Sequence, residues 1–551
     1  MKKSALVLLS LLVFLWGCQK TTETAGTFQI TGKILGADGN PPALAHVHLT
    51  SFNGSLRQPL QSVKASDGNF SLECQQPGLY NLWVTATNHQ STAIPLLLET
   101  SRSIKLDATL KPHTYKANLE EVKILGSWDG HAAASPMKKQ SDGTFVFETE
   151  VSADTVSYQL VDVLESGRTV NGTQQDFFKY DGDGDYYSVL AAAGSKVKVV
   201  FDPAKLVRSD DTNLPKVAFD ENNAMLAEMF EIATTGDRML SDFFKARSKY
   251  EKEHGHTKDF DRDFSELQNY VNSKINSTSY PTVKQFCNLN LAYLYYFDVR
   301  FDVDTYKQLT ESVPPSSPLW AISLQPTALG YGLHDLSATR EWLLRVYSEN
   351  KDNSVRGQAL VQLVFLAELA GDSQQQQTLF AELDSSFSDV VEGYVKVQLD
   401  PNSSIGVGKP VPEFEIKSLD GSGVVSNQTM AGKFYLIDFW ATWCGPCKQE
   451  MPKLHAAFDK FKNQNFAIVS LSLDRKLADI QPYREKAWPM PWQHAFIAGG
   501  WESPLVKSFN VDQTGIPSPF LISPEGKILA RHDALRGEYL ERTLEKFLAS
   551  N

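Results

Sequence analysis

The hydrophobic period changes twice along this 551-residue chain, and no single layer architecture satisfies three such patterns at once. From 28 to about 111, and again from 121 to about 207, apolar residues alternate in short runs such as "FQITGKIL", "YNLWVTA" and "KVKVVFD". In the first of these segments the clusters "GADGNPP", "ASDGN" and "QQPG" supply turns. The spacing predicts two β modules, over 28–112 and 120–207, the first an antiparallel β-sandwich. Between about 219 and 400, stretches such as "VKQFCNLNLAYLYYF" and "GQALVQLVFLAELAGD" carry a 3.6-residue period and predict a helical domain over 219–400. From 405 onward strands and helices alternate ("FYLIDFW", "KQEMPKLHAAFDKF", "FAIVSLSLD"), which predicts an α/β layer over 405–551 with a mostly parallel sheet. Pro517, Pro519 and the turn "SPEG" break that rule and place the last two strands in an antiparallel hairpin. The expected architecture is multidomain: N-terminal β-sandwich modules, a central α-helical domain and a C-terminal α/β domain.

A composition of 42% hydrophobic and 21% charged residues is that of globular material able to bury cores. The net charge of -12, with no basic block after the first three residues, argues against a phosphate-backbone partner, so nucleic acid is not expected. The chain opens with Lys2 and Lys3 followed by an apolar run over 5–16. That run is shorter than the roughly 20 residues a spanning helix needs, and it reads as an export signal. It ends in "LWGC", where Leu15, Gly17 and Cys18 resemble the signal of bacterial lipoproteins, although Trp16 is bulkier than the residue usual there. The resemblance implies a signal over 1–18, lipidation of Cys18, a membrane contact through the lipid anchor and a short tether over 19–27. Gln19 after the cysteine is similar to the signal for outer-membrane delivery in Gram-negative bacteria, which implies a periplasm-facing envelope protein.

Segment 28–112 resembles the carboxypeptidase regulatory-like module through "DGNPPALAHVHL" and "ASDGNFSL", which implies a non-catalytic spacer. Segment 120–207 is similar to immunoglobulin-type modules of the starch- and glycogen-binding kind, in which Trp128 would be an aromatic platform; a lone Trp in a sandwich is more often core. In "DGDGDYY" the carboxylates of Asp181, Asp183 and Asp185 alternate, but a calcium loop of the EF-hand kind needs Gly at its sixth and Glu at its twelfth position, where Tyr186 and Ala192 stand. The stretch is expected to be a solvated turn. His254 and His256 have no further ligands nearby, Cys74 and Cys287 read as buried small hydrophobes, and no metal site is expected.

The chemistry concentrates in "WATWCGPCKQEM". A zinc site needs four ligands, commonly two such cysteine pairs, and no second pair exists. A pair placed where a buried strand hands over to a helix puts the first sulfur at the helix N-terminus, where free N–H groups and the macrodipole favour negative charge. Thiols so placed ionise near pH 7 or lower instead of about 8.5. Cys444 is therefore the expected nucleophile, and Cys447, one turn later, the resolving thiol. Asp438 sits inside the apolar run "FYLIDFW", where a charge is costly, and a buried acid of raised pKa there would serve as base to Cys447; an edge-strand Asp facing water is the alternative.

With "GKPVPEF", "LIDFWATWCGPC", "GIPSPFLI" and "PEGKI" in order, segment 405–551 resembles the thioredoxin superfamily in its membrane-tethered TlpA-like branch of thiol-disulfide oxidoreductases. The resemblance implies that Pro517 is a cis-proline packed against the cysteines. It also implies that Ile516 offers its backbone to an extended substrate, with Trp443, Gly445 and Pro446 on the substrate-facing surface. Ser518 and Pro519 depart from the commoner Thr-containing pattern. Peroxiredoxins are related, but 439–443 lacks the Pro that precedes their peroxidatic cysteine. Gly-Pro between the cysteines is similar to thioredoxin, at about −270 mV, rather than to the oxidising relatives at about −120 mV. The expectation is a protein-disulfide reductase for periplasmic clients, recharged by a membrane electron donor, with no cofactor beyond its own disulfide. The rival reading is an envelope scaffold that holds a glycan or protein partner, with redox chemistry secondary.

Overall fold

The computed structural model describes residues 27–99, 103–192, 194–421 and 423–548. The expected lipoprotein signal with Cys18, and residues 19–26 of the expected tether, lie outside them.

The first module packs two four-stranded sheets face to face. Their inner faces carry Ile30, Leu72, Ile104 and Leu106 on one side and Val47, Leu82, Val84 and Ile94 on the other, all at most 1% exposed. One departure from a wholly antiparallel sandwich appears: strands Phe28–Leu35 and Ser103–Thr109 run parallel. Of the described strands between them only Asn69–Cys74 joins their sheet, the other four forming the facing one, and the first and last strands come side by side with the same polarity. A second departure is that Lys216–Phe219, beyond the second module, pairs with Ser103–Thr109 and covers its open edge. The first module thus recruits a strand from outside 28–112.

The second module closes a five-stranded and a three-stranded sheet over Tyr158, Phe145 and Phe201. Trp128 is half-buried against this core and stacks on Phe147 with centroids 5.0 Å apart, so its ring is used for packing. The "DGDGD" loop is more tied down than a solvated turn. Asp181 accepts the backbone N–H groups of Asp183 and Asp185, Asp183 pairs with Arg57 of the first module at 2.7 Å, and Asp185 pairs with Arg168 at 2.8 Å.

The helices run from Ala224–His254 to Gly393–Leu399. Their starts follow from the sequence: Asp302, Asp335, Asp352 and Asp372 each accept a first-turn N–H, and Gly255 and Gly371 close two C-termini in the left-handed region. One continuous apolar cluster joins the first module, the helices and the C-terminal domain, from Leu96 through Trp320 and Leu363 to Leu454 and Tyr539. The helices grip the last helix, Gly537–Leu548. Tyr539 donates to the Leu329 carbonyl at 2.9 Å, Arg542 to that of Gly332 at 3.0 Å and Lys546 to that of Leu369 at 2.9 Å.

In the C-terminal sheet the strands stand in the order Gln493–Phe496, Phe466–Ser472, Phe434–Trp440, Ser518–Ile522, Ile528–Arg531. The first three are parallel and the last two antiparallel. Phe434–Trp440 is central and every residue of it is buried, because both faces are covered. Tyr435, Ile437 and Phe439 face one apolar cluster, while Leu436 and Trp440 face the cluster that contains the helix after the cysteines. By the two-residue alternation Asp438 points to that helix side.

Candidate active site

The central strand ends at Trp440 and the chain must turn before it can start a helix. Asp474, at the end of the neighbouring strand and 2% exposed, holds that turn: it accepts the Thr442 N–H at 3.1 Å, the Thr442 hydroxyl at 2.6 Å and the Ser472 hydroxyl at 2.7 Å. Cys444 then caps helix Gly445–Phe461, whose first turn tolerates Pro446 because no N–H is needed there. Cys444 and Cys447 are joined in a disulfide, and the Cys447 N–H donates to Cys444 Sγ at 3.1 Å. When the pair is reduced, the same N–H and the helix dipole favour a thiolate on Cys444. Cys447 is the more enclosed of the two, but Cys444 is itself only 4% exposed.

Asp438 is 4% exposed and accepts from the Ser470 hydroxyl at 3.3 Å, which in turn accepts from the Trp492 indole at 2.9 Å. Burial pushes its carboxyl up to about 7; the Ser470 hydrogen bond opposes the shift and the charge of Glu450 adds to it. Glu450, three residues after Cys447, is a second acid held high chiefly by burial. Arg536, 3.6 Å away, and the Gly537 N–H, donating at 2.8 Å, act in the other direction.

On the opposite side stands the loop carrying the cis Ile516–Pro517 bond. The Ile516 carbonyl oxygen lies 3.7 Å from Cys444 Sγ. Ser518 and Pro519, despite their departure from the common pattern, continue into regular antiparallel pairing, Ser518 opposite Phe439 and Pro519 opposite Asp438. Trp443 is 52% exposed, and with the exposed Pro446 it rims the disulfide, while Gly445 is half-buried in the first turn. The Trp443 ring lies 6.3 Å from that of Trp501, beside Phe496 and Arg475 in a recess of about 940 Å³. Trp440 is fully buried core.

The sequence model of the AhpC/TSA family matches residues 407–531. The thiol-disulfide oxidoreductase ResA of Bacillus thuringiensis is 28% identical over 142 residues, covering 26% of this chain and 76% of that protein. The C-terminal domain is that of a thiol-disulfide oxidoreductase. ResA of Oceanobacillus iheyensis is 35% identical to this oxidoreductase over 88 residues, covering 15% of this chain and 46% of that protein. Among solved structures, the thioredoxin domain of a thiol-disulfide oxidoreductase from Bacteroides vulgatus is 32% identical, covering 26% of this chain and 99% of that one, with a TM-score of 0.24.

The oxidoreductase fold gathers Cys444, Cys447, Asp438, Ile516 and Pro517 at the ends of three adjacent segments. Sequence reasoning missed Glu450, although its position three residues beyond Cys447 puts it on the same helix face. It also missed Arg536 and Trp501. Neither carries a local signal, since each arrives by long-range packing.

Proposed function

We propose that the chain is a lipid-anchored reductase of protein disulfides in the bacterial envelope. The supporting observation is the placement of Cys444 Sγ at a helix N-terminus, with Cys447 behind it and an acid ionising at about 7 on the buried side. The Cys444 thiolate attacks one sulfur of a client disulfide, forming the Cys444–client bond and breaking the client S–S bond, so that one client sulfur leaves as thiolate. Asp438 accepts the proton of the Cys447 thiol, directly or through a water. The Cys447 thiolate then attacks Cys444 Sγ, which forms the Cys444–Cys447 disulfide and expels the second client thiolate. Two electrons pass from the dithiol to the client, and the two departing client thiolates take up the proton held by Asp438 and one from solvent.

Return to the dithiol requires a reductant, and in an oxidising envelope a membrane electron donor fills that role. Ile516 and Pro517 hold an extended client segment, and Trp443, Gly445 and Pro446 border it. Anchoring through Cys18 at the outer membrane, facing the periplasm, rests on the 5–16 apolar run and "LWGC". Among the described residues no helix is long and apolar enough to cross a membrane. The β modules and helices carry the redox head away from the anchor and present clients to it.

The test is reduction of insulin disulfides by the full chain with dithiothreitol as reductant. Wild type accelerates the reaction and Cys444→Ser abolishes the acceleration; equal behaviour of the two would sink the reading.

A further inference from the structure

A cavity of about 930 Å³ lies between three parts of the molecule: the 51–60 loop of the first module, the helical domain and the cis-proline loop of the redox domain. It has the size of a ligand site. Ile516 and Pro517 form part of its wall, and the Ile516 carbonyl oxygen is 3.7 Å from Cys444 Sγ. The cavity therefore borders the loop that touches the reactive sulfur.

Much of the remaining wall comes from the helical domain. Tyr293, Tyr296 and Tyr394 leave 40%, 39% and 45% of their surface exposed there, and a group of large rings facing solvent marks a contact surface. Amide side chains stand among them: Gln325, which accepts from the Tyr296 hydroxyl at 2.9 Å, and Gln398. Among the described residues four charged side chains line the cavity: Arg536 and Asp533 lie 3.7 Å apart and offset each other, while Asp389 and Glu392 add two carboxylates that repel an acidic segment. Rings for apolar side chains, amides that can donate to or accept from a main chain, and an excess of carboxylates suit a polypeptide segment free of acidic residues.

We propose that this cavity receives an extended, non-acidic, aromatic-rich segment of the client next to its disulfide cysteine, so that the helical domain selects clients. This rests on the reductase reading, because continuity with the cis-proline loop is what ties the cavity to the reaction. A small disulfide needs Cys444 and the cis-proline loop alone. An unfolded or extended protein segment also engages the tyrosine wall.

Two measurements on the full chain test it. In the first, kcat/KM is compared for cystine bis-amide and for a peptide whose cystine is flanked by uncharged residues including two Phe. Wild type favours the longer substrate, and Tyr394→Ala or Tyr296→Ala lowers that preference about tenfold, the loss typical of truncating one aromatic anchor. A preference within twofold of wild type in both variants overturns the proposal. In the second, a fluorescent form of the peptide with Ser in place of Cys is titrated into Cys444→Ser chain. Saturable binding that weakens about tenfold with Tyr394→Ala is expected. No binding, or displacement by maltohexaose in place of unlabelled peptide, overturns it. Failure of wild type to reduce either disulfide would remove the reductase reading instead, while the binding titration still decides the fate of the cavity.

Discussion

Glu251, in the last turn of helix Ala224–His254, forms an ion pair with Lys448, in the first turn of the helix that Cys444 caps. The helical domain thereby places a carboxylate beside the cation nearest the reactive sulfur in sequence. Lys448 is 15% exposed, so its charge is poorly screened by water. Neutralising Glu251 leaves that charge free to favour the Cys444 thiolate. Glu251→Gln is therefore expected to lower the Cys444 thiol pKa by about half a unit, read from the pH dependence of iodoacetamide alkylation of the reduced chain. High salt should shrink the difference. An unchanged or raised value would show that the pair is purely a packing contact.

Asp438 makes two predictions of opposite sense. As base to Cys447 it must be ionised, so turnover rises with pH through about 7, and Asp438→Asn removes that inflection and slows turnover about a hundredfold. Stability runs the other way. The folded carboxyl binds its proton up to about 7 while the unfolded one releases it near 3.8, so between these values the folded state holds more protons. Stability attributable to this group is full below about 4 and is lost as pH rises to about 7, a loss on the order of 4 kcal/mol. Asp438→Asn should flatten that slope and be the more stable protein at pH 8 in urea unfolding. A variant equally sensitive to pH would show that the acid is not held neutral.

The placement of the candidate site in the fold could be read from the sequence because its signals are local. A carboxylate inside "FYLIDFW" and a cysteine pair at a strand-to-helix junction each violate or exploit a short-range rule. Glu450 was hidden because an acid on a helix looks the same whether water or protein faces it. The parallel pairing of Phe28–Leu35 with Ser103–Thr109 depends on which sheet each intervening strand joins, and hydrophobic alternation reports burial without reporting the partner. Glu251 and Lys448 are 197 residues apart, and nothing near either announces the other. The walls of the tyrosine cavity, drawn from three separate regions, share that property.

Arg57 and Asp183 join the first and second modules with a close ion pair, yet their side chains are 73% and 51% exposed. Water screens the pair and both chains lose rotamer freedom in forming it. Arg57→Ala should therefore change the thermal midpoint by less than about 2 °C. A larger drop in differential scanning calorimetry would mean that the tie orients the two modules and does more than decorate their boundary.

Arg531 presents the opposite case. Its side chain is completely buried, 3.0 Å from Glu368, and it also donates to the Asp400 carbonyl at 3.1 Å, which fastens the redox sheet to the helical domain. Glu368 keeps one other hydrogen bond, from Gln376 at 2.7 Å. Arg531→Ala leaves that carboxylate buried without its cation, which costs about 3–5 kcal/mol and should lower the thermal midpoint by about 10 °C. Removing both charges together, as Arg531→Met with Glu368→Leu, fills the space with apolar side chains and should recover most of the loss. Calorimetry of the three proteins decides the matter. If the double variant is as unstable as the single one, the interface depends on the geometry of the pair and the unpaired charge is not the cause.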